Sequence, residues 1–240
     1  MERAEAAQAY LSRNKLLYMN MLEVLRRGSA DLAYAGEDGV LLYDRGVEGW
    51  MLSARDRGAL DRFMPYLEGS HVVVGHEMWY RDELARRLGL WKETPCFQAA
   101  WLGDAPPEAP AFSGELRLLG PEYLSLVQTH YSKADLAGEP QIRAALAHGM
   151  LGAFVDGALA GFVGFHEEGS IGLLEVLPAF RRRGLGEVLL LGAVRLALSR
   201  GQYAFGQVLI DNEPSLALQK KAGMTLSQDM LYWLFQAGQP

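Results

Sequence analysis

A mixed α/β fold made of two similar halves is what this sequence predicts, and three observations carry the prediction. Strand-like and helix-like segments alternate along the chain, the pattern of helices packed on a sheet. The stretch 104–114 (Asp-Ala-Pro-Pro-Glu-Ala-Pro-Ala-Phe-Ser-Gly) holds three of the ten prolines. Proline fixes φ and lacks a donor, so this stretch is a connector. A constant shift without gaps lays Gly89 on Gly223, Leu84 on Leu218, Leu90 on Met224 and Trp101 on Phe235. Element order agrees with the same shift, which favours duplication over two unrelated α/β halves. The expected division is a domain at 1–103, a linker at 104–114 and a second domain at 115–240, with a mixed, mostly antiparallel sheet flanked by helices.

The elements follow from local signals. In the first half a helix is expected over Ala4–Leu25, strands near Leu32–Ala35, Val40–Tyr43 and Trp50–Leu52, and a helix over Arg55–Tyr66. Strand His71–Val74, helix Trp79–Leu88 and strand Cys96–Leu102 complete it. In the second half Glu115–Leu119 is a strand, and Pro121 opens a helix at its first position, running to about Ser132. A helix over Pro140–His148 ends at Gly149. Strands Met150–Val155, Ala160–His166 and Ile171–Leu177 follow, with Asp156-Gly157 as a hairpin turn. A helix from about Gly184 to Arg200 is apolar on most sides, as a buried helix is. Strand Ala204–Ile210, helix Pro214–Ala222 and strand Leu226–Phe235 end the chain.

Composition narrows the class. The 240 residues are 50% apolar and 22% charged, which excludes disorder, collagen and a disulfide scaffold. No apolar run reaches the roughly 18–20 residues of a membrane span. The net charge of −6, from 23 basic and 29 acidic residues, argues against a nucleic-acid binder and leaves room for a local anion site. Cys96 is the one cysteine, so there is no internal disulfide and no cysteine zinc cluster. The start, Met1-Glu2-Arg3-Ala4-Glu5, carries acids early and has no apolar core of a secretory signal. A reducing, cytoplasmic location is the expectation.

The chemistry concentrates in 173–188, Leu-Leu-Glu-Val-Leu-Pro-Ala-Phe-Arg-Arg-Arg-Gly-Leu-Gly-Glu-Val. A strand ends at Pro178, a loop carries Arg181, Arg182 and Arg183, and Gly184 and Gly186 open a helix. A helix N-terminus offers unpaired N–H groups and partial positive charge, and glycine lets a ligand approach the backbone. Together with the arginines these make a pyrophosphate cradle. The Walker pattern is absent, and Leu189 stands where the dinucleotide pattern needs its third glycine. Three arginines alone are usually a basic surface turn. Strand, Val-x-Pro, Arg-x-x-Gly-x-Gly and buried helix in sequence make that the poorer reading.

Val176-x-Pro178 followed by Arg181-x-x-Gly184-x-Gly186 resembles the acyl-CoA binding motif of the GNAT N-acetyltransferase superfamily. Asn212-x-x-Ser215-x-x-Leu218-x-x-x-x-Gly223-Met224 resembles its later motif, and the likeness spans about 115–236. Gly206-Gln207-Val208 through Asn212 resembles the branch that includes glycine N-acyltransferases. The resemblance implies a tandem GNAT-like fold whose C-terminal half is a complete acyl-CoA N-acyltransferase domain. It implies acetyl-CoA or another acyl-CoA as cosubstrate, no metal, and a primary amine of a small molecule, amino acid or peptide as acceptor, attacked directly. Neither nucleic acid nor membrane is an implied partner, and a homodimer is compatible with the reading.

The resemblance also assigns residues. The CoA pyrophosphate sits on the backbone from Arg183 through Gly184, Leu185 and Gly186 to Glu187, with Arg181 and Arg182 alongside. The pantetheine arm runs along Val176 and Leu177, with Asn212 and Ser215 across a V-shaped slot between two splayed strands. The Val176 N–H region polarises the thioester carbonyl. Glu175 is the candidate general base, with equal weight on a carboxylate paired to a nearby arginine. Strict alternation puts it opposite Val176, and a bulge reverses that. Glu168, with Ser170, is the next candidate, although a solvated turn residue is the blander reading. The tyrosine that protonates the leaving thiolate in this superfamily is missing, since Gln219 follows Leu218; Tyr232 is a substitute candidate, and packing is its commoner use. The first half lacks the cradle around 53–58. The rival reading, motivated by Gln219, is a noncatalytic acyl-CoA-binding regulatory module.

Overall fold

The computed structural model describes residues 2–133 and 137–236. In chain order it holds α1 (Arg3–Leu11), α2 (Met19–Arg27), β1 (Ala30–Gly36), β2 (Gly39–Asp44), β3 (Gly49–Ala54), α3 (Arg57–Leu67), β4 (Val72–Gly75), α4 (Arg81–Leu88) and β5 (Leu90–Ala100). Then come β6 (Glu115–Leu118), α5 (Leu124–His130), α6 (Glu139–His148), β7 (Leu151–Val155), β8 (Ala158–Phe165), β9 (Ile171–Val176), α7 (Leu185–Ser199), β10 (Phe205–Leu209), α8 (Glu213–Lys221) and β11 (Thr225–Gln236). The chain packs as two compact units. The first gathers residues up to 98 with 208–212 and 226 onward, and the second 99–207 with 213–225.

The first unit orders its strands β1-β2-β3-β4-β11-β5. β1–β2 and β2–β3 are antiparallel and β3–β4 is parallel. β11 is the departure from the expected division, which gave this strand to the second half. It inserts antiparallel beside β4, with Tyr232 opposite Gly75 and Leu234 opposite Val73. Gly75 is obligatory for that fit, because a Cβ there would lie 2.3 Å from the Tyr232 ring. α3 lays Leu60, Phe63, Met64 and Leu67 on Leu41, Leu52, Val73, Tyr80, Leu84 and Tyr232, which together form the core. This burial is the main driving force for the unit.

Two element boundaries differ from the sequence expectation for local reasons. The helix expected over 4–25 breaks after Leu11 into a 3-10 turn (Ser12–Asn14) and restarts at Met19. The Asn14 side chain accepts the Leu17 N–H at 3.3 Å, a local bond that competes with helix continuation. β5 begins at Leu90 rather than Cys96, directly after Gly89 (φ 68°) closes α4. The exposed Trp91 and the polar Lys92, Glu93 and Thr94, followed by Pro95, mask its alternation.

α3 starts on Asp56, whose side chain accepts the Ala59 N–H at 2.9 Å. Asp56→Ala is expected to cost the first unit about 1 kcal/mol in urea denaturation. An unchanged midpoint would show that the cap contributes nothing.

The second unit orders β10-β9-β8-β7-β6, antiparallel except for the β10–β9 pair. α7 packs against β7, β8 and β9. A separate cluster joins Val127 of α5 and Ile142, Ala145 and Leu146 of α6 to Phe162 and Leu173. Among the described residues no helix is long and apolar enough to cross a membrane.

Candidate functional site

β9 is irregular where it approaches the loop. Leu173 has φ 49°, and the β8–β9 register jumps between Phe162/Glu175 and Gly164/Gly172, which marks a bulge. Past the bulge, Leu177 N–H donates to Ala160 O at 2.9 Å. Alternate residues of an antiparallel strand bond to opposite sides, so the Val176 N–H faces the β10 edge. There β9 and β10 pair in parallel at Ile171↔Gly206.

Arg181 braces the end of β9. Its Nε donates to Val176 O at 3.0 Å and its guanidinium reaches Glu175 Oε1 at 3.2 Å. The other Glu175 oxygen accepts the Ser132 hydroxyl at 2.6 Å and the Ser132 N–H at 3.2 Å. Of the two readings of Glu175, the arginine-paired carboxylate is the one this geometry favours. Both oxygens of this buried side chain already accept hydrogen bonds. Glu175 and Arg181 thus hold the loop to the strand, and Arg181 is not turned toward the helix N-terminus. Ser132 lies 43 positions away in sequence, and no local signal announces it.

The loop then turns twice through left-handed backbone. Arg182 has φ 62° and Gly184 φ 79°, a conformation that favours glycine and makes a concave nest of N–H groups. Gly184 is the N-cap of α7 and offers no side chain to cap it. Among the described residues the backbone N–H groups of Arg182 through Gly186 have no acceptor, whereas Glu187 N–H donates to Gly184 O at 3.1 Å. Arg182, Arg183 and Gly184 are exposed, and Arg183 lies over the Phe180 ring. The Glu187 carboxylate, which would repel an anion here, pairs with Lys221 Nζ at 2.7 Å. Nothing lies within 4 Å of a Cβ built on Gly184. The result is an uncapped, positively charged helix start open to an anion.

Several expected residues sit elsewhere. The backbone of Leu177 is fully engaged, its N–H to Ala160 and its carbonyl accepting Phe180 N–H at 2.8 Å, so only its side chain is open to a ligand. Glu187 likewise offers no backbone donor. Glu168 is buried and accepts the Ser170 hydroxyl, so it is not a solvated turn residue. It precedes the far end of β9, roughly 20 Å along the strand from Val176 at about 3.3 Å per residue. Tyr232 is fully buried in the first unit, its O–H donating to Glu77 O at 3.2 Å, and burial pushes its phenol well above the usual range. Core packing is its role, and it is withdrawn as a thiolate acid. Asn212 closes the turn after β10 through its N–H to Leu209 O at 3.0 Å, and Ser215 lies in α8. Gln219, standing where the phenol was expected, is buried in the second unit.

The first unit has the same strand–helix–strand order and no cradle. Only Arg55 and Asp56 separate β3 from α3, against eight residues between β9 and α7. The α3 N-terminus is occupied by the Asp56 carboxylate. β3 and β4 pair at three positions and part after Leu52↔Gly75. The Glu77 carboxylate fills that fork, accepting from Ala54 N–H at 3.3 Å and from the Ser53 hydroxyl.

An uncapped, arginine-bearing helix start after a strand is an arrangement that can take an anion. The sequence model of the Acetyltransferase (GNAT) family matches residues 116–224, so the site lies in a GNAT-family acetyltransferase domain. Solved structures share the fold over nearly the whole chain. A Drosophila protein solved by X-ray crystallography is 17% identical with a TM-score of 0.71, covering 96% of this chain and 94% of that one. A GCN5-related N-acetyltransferase from Kribbella flavida is 13% identical with a TM-score of 0.54, covering 98% and 96%. A tandem GNAT protein from the clavulanic acid biosynthesis pathway is 16% identical with a TM-score of 0.50, covering 98% and 96%. The likeness extends across both units, in keeping with a tandem GNAT-like arrangement. No curated protein sequence matches the chain.

Proposed function

We propose that the protein transfers an acyl group, acetyl in the simplest case, from a coenzyme A thioester to a primary amine by direct attack. The observation that carries this reading is the row of unbonded N–H groups from Arg182 to Gly186 at the start of α7. The N–H groups, with Arg182 and Arg183, hold the pyrophosphate through charge-assisted hydrogen bonds. The thioester supplies an activated acyl carbon and a thiolate leaving group. The Val176 N–H polarises the acyl carbonyl from a fixed position, and holding both reactants in one slot lowers the entropic barrier. A C–N bond forms as the C–S bond breaks, and the proton the amine loses ends on the departing thiolate, giving the free thiol. With a thiol pKa near ~8.5 the thiolate leaves without a dedicated acid, which fits Gln219 at the phenol position.

Glu175 acts in this scheme as a positioning residue for the loop. Glu175→Gln is expected to lower the rate by about 10-fold, the cost of weakening one charge-assisted contact, and to leave the pH–rate profile unchanged. Loss of the acidic limb from that profile would make Glu175 the base. The first unit is proposed as a GNAT-like repeat that no longer binds coenzyme A, because Asp56 and Glu77 occupy the equivalent places.

Turnover tests the whole reading. Incubation with acetyl-CoA and a panel of amines should release free thiol in step with amide formation, and competition among acyl-CoAs of different length ranks the acyl group. Tight coenzyme A binding with no thiol release across the panel would leave the protein as an acyl-CoA-binding module.

A further inference from the structure

A cavity of about 510 Å³ opens in the first unit, at the carboxyl ends of the parallel strands β3 and β4, where ligands of open α/β sheets bind. Its size falls in the range of small-molecule sites. Tyr10, Tyr18 and Trp79 wall it, Glu77 lies in it, and Arg13 and Arg55 stand at it.

The polar groups are arranged in a definite sense. The half-buried Glu77 carboxylate accepts from the hydroxyls of Tyr18 at 2.8 Å, Ser53 and Tyr80, and from Ala54 N–H. Ser53 in turn bonds Tyr10 at 2.8 Å. Four donors saturate the two oxygens, so this acid holds the wall together and has no lone pair left for an incoming cation. The unsaturated charge is positive. Arg13 and Arg55 are both exposed. Arg13 is aimed by its bond to Glu37 O at 2.9 Å and by stacking over Tyr10. Arg55 is fixed at its backbone, N–H to Asp38 O at 2.8 Å.

Trp79 is the second clue. It is 48% exposed, yet its indole N–H is tied to Ala54 O at 3.2 Å and its ring is set edge-on against Tyr80. An immobilised aromatic face beside open space binds a flat ring at low entropic cost.

We propose that this cavity is a binding site for a small aromatic carboxylate, its ring against Trp79 and the tyrosines and its carboxylate on Arg55 and Arg13. Guanidinium matches carboxylate geometry. The site is separate in its residues from the coenzyme A cradle and does not depend on the acyltransferase reading.

Isothermal titration calorimetry of the full chain with 1-naphthoate, 1-naphthylmethylamine and acetate tests it. Naphthoate should bind saturably, acetate at least about 10-fold more weakly for want of the ring, and the amine not at all. Arg55→Ala and Trp79→Leu should each weaken naphthoate about 10-fold or more, with unchanged circular dichroism, since both side chains are largely exposed. Excess coenzyme A should not displace it. Equal or tighter binding of the amine, displacement by coenzyme A, wild-type affinity in both variants, or no saturable heat up to about 5 mM naphthoate would each overturn the assignment.

Discussion

Gly186→Asp is expected to lower the affinity for coenzyme A by about 100-fold or more while leaving the protein folded. The two halves of that expectation have separate causes. A hydrogen bond to a charged partner contributes about 1.5–3 kcal/mol, and a carboxylate among the donors both competes for them and repels the diphosphate. A loss of about 3 kcal/mol is roughly 100-fold in affinity. Folding is protected because a Cβ at Gly186 meets only Leu218, at 3.4 Å, an ordinary contact. An acid in the first turn also favours the helix dipole. The first unit already carries the natural version of this change, with Asp56 capping α3. Gly186→Ala is the control, since it adds the methyl without the charge and should bind within a few-fold of wild type. Titration calorimetry with coenzyme A reads both. Affinity retained in the aspartate variant would remove the cradle from the α7 N-terminus.

Much of this site was legible because its chemistry is local. Pro178, Arg181, Gly184 and Gly186 lie within nine residues, and each acts on the backbone next to it. What local sequence does not show is who completes a contact from far away. Ser132 satisfies Glu175 from 43 positions upstream, and Lys221 neutralises Glu187 from α8. Without those partners the sequence left Glu175 divided between base and ion pair. The fold shows the same limit. Alternation identified β11 as a strand, but pairing with β4 depends on Gly75 making room for Tyr232, a fit no periodicity displays. The gapless shift found the common order of the halves and could not show that the β3–α3 connection holds two residues where the β9–α7 connection holds eight. That short connection, with Glu77 in the fork, leaves the first unit without the cradle. The polar groups freed by a parting strand pair must be satisfied by something. In the first unit, where β3 and β4 part, it is the Glu77 side chain.

The same economy places a histidine where water cannot reach it, and its titration should expose the fact. His76 is buried at the end of β4, its Nδ1 2.9 Å from Leu52 O and its Nε2 3.0 Å from Asn20 Oδ1. Burial pulls its pKa down to about 4, against a smaller upward pull from the Leu52 carbonyl. The folded state therefore resists a proton that the unfolded chain accepts near pH 6.5. Stability from this group is complete above the unfolded value and is lost as pH falls from about 6.5 to about 4, up to about 3 kcal/mol. Neighbouring Glu77 works in the opposite direction. Burial raises its pKa, so the folded state holds that proton more tightly, and its contribution is present at low pH and lost as pH rises through the raised value. The stability profile sums the two, but the imidazole signals do not. In an NMR titration of the folded protein, His76 should stay neutral down to about pH 5. A His76 that titrates near 6.5 with the fold intact would mean that its ring reaches solvent, and the account of how β3, β4 and α2 close around it would fail.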